Sequence, residues 1–288
     1  MSAFGHTARR MAYPYLSDIV RAVSGFDIWL PLPTFGVMVG VALFVALKLA
    51  NVEVKRLVPG QPANFTDNLG FVGFLAGLVG ARVFHILEHT REFLADPLPM
   101  LLSRGGFTIF GGLIFATLAG LVYARIKRAP AAPLLDAVAP ALMLGYALGR
   151  IGCQLSGDGD WGIAADLDAK PSWLPAWFWA QTYDGNILGI VIDPPGVYPT
   201  PLYEVLMGLA AFALLWKLRM HRHQAGWLFC VYLTLAGVER LLIEVIRVNT
   251  TFTLFGAEVT QAQIIAVACV IAGLAGMWML SRPRPVPA

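Results

Sequence analysis

Three arginines sit where an arginine is expensive. Arg150 closes the apolar run LLDAVAPALMLGYALGR, Arg82 lies in GLVGARVFHILEH, and Arg240 lies in TLAGVERLLIEVIR. A guanidinium at membrane depth costs roughly 2.5–3.5 kcal/mol even on lenient insertion scales. Such a residue faces the interior of a helix bundle, where it binds an anion or pairs with a carboxylate. Glu244 follows Arg240 by four residues and so shares its helix face. A guanidinium stays charged and grips phosphate through two parallel N–H donors. Three of them in one apolar chain suggest an anion site, and the abundant anion of a bilayer is a phospholipid headgroup.

The rest of the chain must hold these residues in lipid. Of its 288 residues 57% are hydrophobic and 14% charged, against about 25% charged in a soluble domain. This composition excludes an ordinary soluble enzyme and indicates an all-α polytopic membrane protein. A span needs about 20 mostly apolar residues. Seven segments qualify, at about 29–50, 69–88, 106–125, 133–151, 201–216, 226–246 and 260–281. Basic residues gather in alternate loops: Lys48, Lys55 and Arg56 at or after the first span, Arg125, Lys127 and Arg128 after the third, Lys217, Arg219 and Arg222 after the fifth, Arg282 and Arg284 after the seventh. The positive-inside rule then places the N-terminus outside and the C-terminus in the cytoplasm. Arg9, Arg10 and Arg21 run against this assignment, and the four clusters outweigh them. The first thirty residues lack the ordered features of a cleaved signal peptide. Cys153, Cys230 and Cys269 fall in or beside apolar segments, so no disulfide framework is expected. There is no internal repeat, and the only low-complexity stretch is the tail SRPRPVPA.

Residues 152–200 break the pattern. They are rich in Gly, Pro, Asp and Trp, too interrupted for a span and too apolar for a plain linker. They read as a small extracytoplasmic head whose Trp161, Trp173, Trp177 and Trp179 suit the headgroup interface, or else as an ordinary packed loop. The expected organisation is an extracytoplasmic N-terminal segment over 1–28, four transmembrane helices over 29–151, the head insertion over 152–200, three more helices over 201–281 and a cytoplasmic tail over 282–288.

The segment GRIGCQLSGDGDWG resembles the signature of the bacterial prolipoprotein diacylglyceryl transferase family, and further matches keep that family's order. GARVF lies late in the second span, GGFTIFGGLI opens the third, Asp136 lies one turn into the fourth, YPTPLYEVL opens the fifth, ERLLIEVIR closes the sixth and TQAQIIA opens the last. The resemblance runs from about residue 30 to 280. It implies seven spans, a small periplasmic head, and transfer of a diacylglyceryl group from phosphatidylglycerol to the thiol of a lipobox cysteine. The leaving group is glycerol phosphate. A cation must hold that phosphate and neutralise the departing charge, and some group must favour the thiolate. By resemblance Arg150 and Arg240 are the essential arginines, Asp136 and Glu244 the carboxylates that pair with them, and Asp158 stands in place of the signature Glu. A purely architectural ion-pair network is the alternative, since buried polar groups can set helix register without catalysing anything.

Phe110 stands where family members carry a His, Phe35 where many carry a Tyr, and Cys153 at the usual Asn. The thiol would then be polarised by another group. His85 and His89, at i and i+4 beside Arg82 and Glu88, are candidate thiol bases; they can also be plain interfacial histidines. HILEH matches an inverted zinc motif, but a zinc site needs a third ligand and no helical segment offers an obvious one, so no metal is expected. Gly105, Gly106, Gly111 and Gly112 flank a helix start. Small residues let membrane helices approach closely, or bare amides at that helix N-terminus face the lipid phosphate. Tyr203 and Glu204 open the fifth span as substrate-binding candidates, or as a cap and an interface aromatic.

The reading is therefore a multi-pass enzyme of the bacterial cytoplasmic (inner) membrane that needs no cofactor. Its partners are phosphatidylglycerol, prolipoprotein lipobox segments and membrane lipids, with no nucleic acid. Arg150, Arg240, Asp136, Glu244 and Asp158 are expected to be catalytic. Arg150, Arg82, Gly111, Gly112, Tyr203 and Glu204 are expected to bind substrate. The rival readings are a non-catalytic phospholipid-binding relative and a small anion transporter, for which paired inverted repeats would be expected.

Overall fold

The computed structural model describes residues 12–102, 108–254 and 257–281. Gly105, Gly106, Arg9, Arg10 and the tail over 282–288 lie outside the described residues. The chain is mostly helical, at 66%. In chain order the described elements are α1 (Leu16–Ser24), α2 (Thr34–Leu57), α3 (Phe65–Glu88), α4 (Thr90–Ala95), α5 (Pro97–Leu102), α6 (Ile109–Ile126), α7 (Ala131–Ser156), α8 (Ala176–Trp179), α9 (Thr200–Leu218), α10 (Trp227–Glu244), β1 (Thr251–Leu254), β2 (Ala257–Thr260) and α11 (Gln261–Leu280).

Among the described residues, five helices are long and apolar enough to cross a membrane: α2, α3, α7, α9 and α11. The sequence reading has seven. Of the other two, α6 is a shorter apolar helix, and α10 carries Glu239, Arg240 and Glu244. Several ends also differ from expectation. Pro31 and Pro33 delay α2 to Thr34, and it runs past its apolar stretch to Leu57. There Arg56 Nε donates to Glu53 at 3.0 Å. The hairpin of β1 and β2 was not expected. Thr260 ends it and caps α11: its hydroxyl accepts from the Gln263 amide at 3.1 Å, and Gln263 accepts from the Thr260 amide at 3.0 Å. This reciprocal pair satisfies two donors that a helix start otherwise leaves open.

The molecule divides into two units, Met1–Ala46 with Ala139–Ala288, and Leu47–Val138. In the second, α3 packs on α6 through small residues. A Cβ on Gly80 would run into the Gly111 carbonyl oxygen and Phe115; one on Gly111 would run into the Gly80 carbonyl oxygen and Phe84. Lipid tails are as apolar as side chains, so such helix pairs are held by close backbone packing. Gly80→Ala is therefore expected to cost about 1–3 kcal/mol, read as a lower thermal midpoint of the detergent-purified protein. Val54, Val58, Phe65, Ala124, Leu134 and Ala137 close the core of this unit.

In the first unit the core is Met143, Leu215, Trp227, Leu228 and Val231, from α7, α9 and α10. Gly208 of α9 lets Ala147 of α7 approach: a Cβ there would lie 3.1 Å from the Ala147 Cβ. Pro140 sits inside α7. The segment between α7 and α9 is held by polar contacts more than by regular structure. Tyr183 is fully buried. Its hydroxyl donates to Gln154 at 2.9 Å, and Gln154 donates to Gln181 at 2.8 Å. Trp161 packs on the Tyr183 ring at 5.2 Å.

Candidate active site

The end of α7 builds the site. Gly157 at φ +60° and Gly159 at φ +96° turn the chain just past Ser156, a left-handed backbone that glycine takes without the Cβ penalty. A Cβ on Gly157 would also lie 2.8 Å from the Asn186 Cβ. The turn brings Asp158 and Asp160 back toward the last helical residues. Arg150 forms an ion pair with Asp160 and another with Glu204 Oε1 at 3.1 Å. It also lies over the Tyr146 ring, 5.3 Å from the centroid.

A third arginine completes the cluster. Past the end of α10, the Ile163 amide donates to the Ile246 carbonyl at 2.8 Å, which pins the chain at Arg247. Its guanidinium reaches Asp160 at 2.5 Å and the two Glu204 oxygens at 3.1 and 3.4 Å. Arg240 pairs with Glu244 at 2.7 Å, while its Nη1 stands 3.9 Å from Glu204. That is too long for a hydrogen bond, so Arg240 keeps donor capacity. It is also the most accessible of the three, at 24% against 13% for Arg150 and 11% for Arg247. Glu204 is fully buried and faces all three guanidiniums. Glu244 is steadied in turn by the Thr260 hydroxyl at 2.5 Å and Asn249 at 2.7 Å.

Tyr146 links two carboxyls, lying 3.0 Å from Glu204 and 2.8 Å from Glu239. One phenol hydrogen serves one acceptor at a time, so both contacts are satisfied together when one carboxyl holds a proton. The two loop carboxylates differ. Burial alone would raise Asp160, but the guanidiniums of Arg150 and Arg247 overcome it and hold its carboxyl below the usual range. Asp158 is pushed up, first by burial and then by the negative charge of Asp160. One of its oxygens lies within 4.8 Å of the Cys153 sulfur, which is itself 3.9 Å from Arg150 Nη1. Three guanidiniums against three paired carboxylates make a nearly neutral cluster that can still offer donors to an incoming phosphate.

Of the expected site residues, the structure brings together Arg150, Arg240, Glu244, Asp158 and Glu204. Four expectations change. The loop carboxylate on Arg150 is Asp160 and not Asp158, which the resemblance put in the place of the signature Glu, because the turn at Gly157 and Gly159 returns the second Asp. Asp136, fully buried, belongs to the other unit, and the carboxylates against Arg150 are Asp160 and Glu204. Gly112 donates its amide to the Thr108 carbonyl at 3.2 Å, so that amide is used within the helix start and is not offered to a phosphate. Tyr203 donates its hydroxyl to the Phe178 carbonyl at 2.7 Å, which ties α8 to α9. Arg82, His85, His89 and Gly111 lie in the second unit. Sequence reasoning missed Asp160, Arg247, Glu239 and Tyr146. Arg247 stood in the quoted run ERLLIEVIR, seven residues after Arg240 and so on nearly the same helix face, and that spacing was the available signal.

Comparison with known proteins identifies the family. The profile of the prolipoprotein diacylglyceryl transferase family matches residues 24–279. The phosphatidylglycerol–prolipoprotein diacylglyceryl transferase of Trichormus variabilis is 30% identical over 269 residues, covering 88% of this chain and 87% of its own. That of Geobacillus kaustophilus is 31% identical over 254 residues, covering 87% and 88%. That of Chromohalobacter salexigens is 30% identical over 282 residues and covers 96% of both chains. An arginine cluster built from α7, α9 and the end of α10, inside a match that spans nearly all of the chain, leads to one conclusion: the chain belongs to the prolipoprotein diacylglyceryl transferase family.

Proposed function

We propose that this protein transfers the diacylglyceryl group of phosphatidylglycerol to the lipobox cysteine of prolipoproteins. The observation that carries the reading is the cluster of Arg150, Arg240 and Arg247 around buried Glu204. In the transfer the cysteine sulfur attacks the glyceryl carbon, the carbon–oxygen bond to phosphate breaks, and glycerol phosphate leaves. The thiol proton passes to a base. Arg240, with donors to spare, receives the phosphate together with Arg150, and their positive charge meets the charge that develops on the leaving group. Glu204, Asp160 and Glu244 hold the guanidiniums in place, and Arg247 joins Asp160 to Glu204 as a positioning residue. Arg82 and Gly111 are carried as further substrate-binding groups, and His85 or His89 as the thiol base, because Phe110 stands where the family carries its His. Purified protein should move labelled lipid from phosphatidylglycerol to a lipobox peptide. Lipid binding with no labelled peptide would instead make the protein a non-catalytic relative.

The same reading takes α6 and α10 as spans too, the third and the sixth in chain order, which makes seven with the other five. The charges of α10 support this, since Arg240 and Glu244 neutralise one another. The alternation of basic loops supports an outward N-terminus, a cytoplasmic C-terminus and an extracytoplasmic head over 152–200. A cysteine at Asp168 is expected to react with an impermeant thiol reagent in intact cells. Labelling that appears only after lysis would invert the assignment.

A further inference from the structure

The end of α3 holds a group of side chains that the transfer reading uses only through its histidines. His85, Glu88 and His89 each offer a ligand atom, and these atoms lie within 4.8 Å of one another. The two imidazoles stand one helical turn apart with centroids 4.4 Å apart. The third ligand that the sequence reading did not find is the Glu of the same motif, brought round by the i+3 spacing.

The surroundings orient these groups as a metal site requires. His89 Nδ1 donates to the His85 carbonyl at 3.0 Å, which leaves the Nε2 lone pair for a ligand. Metal-binding histidines are commonly fixed in this way, with the second ring nitrogen on a backbone carbonyl. Glu88 accepts from the Thr108 hydroxyl at 2.6 Å. Thr108 is itself fixed, its amide donating to the Ala81 carbonyl at 3.0 Å. One ligand is thus oriented by its own helix and another by the residue that precedes α6.

We propose that His85, Glu88 and His89 form a binding site for a divalent transition metal of the zinc class. Two imidazoles and one carboxylate favour zinc, nickel or copper over magnesium or calcium, which prefer all-oxygen shells. Ligand atoms around one tetrahedral zinc lie about 3.4 Å apart, given zinc–ligand bonds near 2.0–2.2 Å. Rotation of half-exposed side chains at a helix end closes that difference. Three protein ligands leave a fourth position for water or an incoming thiolate; with the ion bound the imidazoles are ligands, and the base role given above to His85 or His89 does not apply.

The test uses full-length protein without a polyhistidine tag, stripped with chelator and titrated calorimetrically with Zn²⁺. One ion per chain is expected. His85→Gln and His89→Gln should each weaken binding at least tenfold, and the double change His221→Gln with His223→Gln should leave it unaltered. Size-exclusion and circular dichroism profiles check that each variant is folded. As a measurement on the unaltered chain, Co²⁺ should give intense tetrahedral d–d bands. Absence of saturable Zn²⁺ binding, affinity indifferent to the His85 and His89 changes, or affinity lost with the His221 and His223 pair would each overturn the site. The readout is binding, so it stands or falls apart from lipid transfer.

Discussion

Arg150→Lys and Arg240→Lys are each expected to cut diacylglyceryl transfer by about 10²–10³-fold, the loss typical of removing one preorganised donor to a developing oxyanion, and to leave the protein folded. Lysine keeps the charge but loses the planar fork. At Arg150 that fork is already divided, with Nη1 toward Asp160 and Nη2 toward Glu204. An ammonium satisfies one of these partners well and the other poorly. At Arg240 one arm holds Glu244 while the other keeps its capacity, and a lysine that takes Glu244 has little left for phosphate. The test is turnover of labelled phosphatidylglycerol against a lipobox peptide, with the thermal midpoint measured in parallel. Near-wild-type turnover in either variant would remove that guanidinium from the phosphate-binding role.

Glu204→Gln is expected to destabilise the protein by about 3–5 kcal/mol, the cost of removing one partner from a buried ion-pair network. The amide has nearly the carboxylate's shape and can still meet Tyr146, so packing barely changes. The loss is electrostatic. Arg150 and Arg247 each keep Asp160 and Arg240 keeps Glu244, but the charge that faced all three is gone. The cost is large because a buried charge without compensation is far from any solvent that could replace its partner. Thermal unfolding of detergent-purified protein reads it, with Glu258→Gln on the exposed hairpin as the control. A midpoint equal to that control would mean that the three arginines do not depend on Glu204.

The amino-acid sequence displayed some parts of this arrangement and hid others for physical reasons. The apolar runs were legible because a span declares itself in composition. The pairing of Arg240 with Glu244 was legible because four residues is a helix repeat. Asp160 and Arg247 are 87 residues apart, and no local period joins them. Only the turn at Gly157 and Gly159 brings Asp160 into reach, and the resemblance pointed to its neighbour, Asp158. The carboxylate expected to answer Arg150 was Asp136, on the same helix, whereas the structure uses Glu204 from another. Spacing along one helix constrains its own faces and says nothing of the partner helix. The segment over 152–200 was legible as lacking a span-length apolar helix, but its internal order rests on Gln154, Tyr183 and Gln181, a side-chain chain of hydrogen bonds with no periodicity to betray it.

The cluster also bears on how the chain is made. Its parts emerge from the ribosome at different times: Tyr146 precedes Glu239 by 93 residues, about 5–20 s at ordinary rates of synthesis. When α7 leaves the translocon, Arg150 has neither Glu204 nor any contact with α10 to receive it. A guanidinium at that depth with only Asp160, ten residues on, to answer it favours the watery edge of the bilayer, so α7 should linger at the lateral gate or sit shallow until α9 follows. Only when the last partners arrive can the helix settle to its final depth. Insertion of this protein would then be completed backwards, with a late helix seating an early one, and variants of Glu204 should accumulate as partly inserted chains taken by membrane proteases.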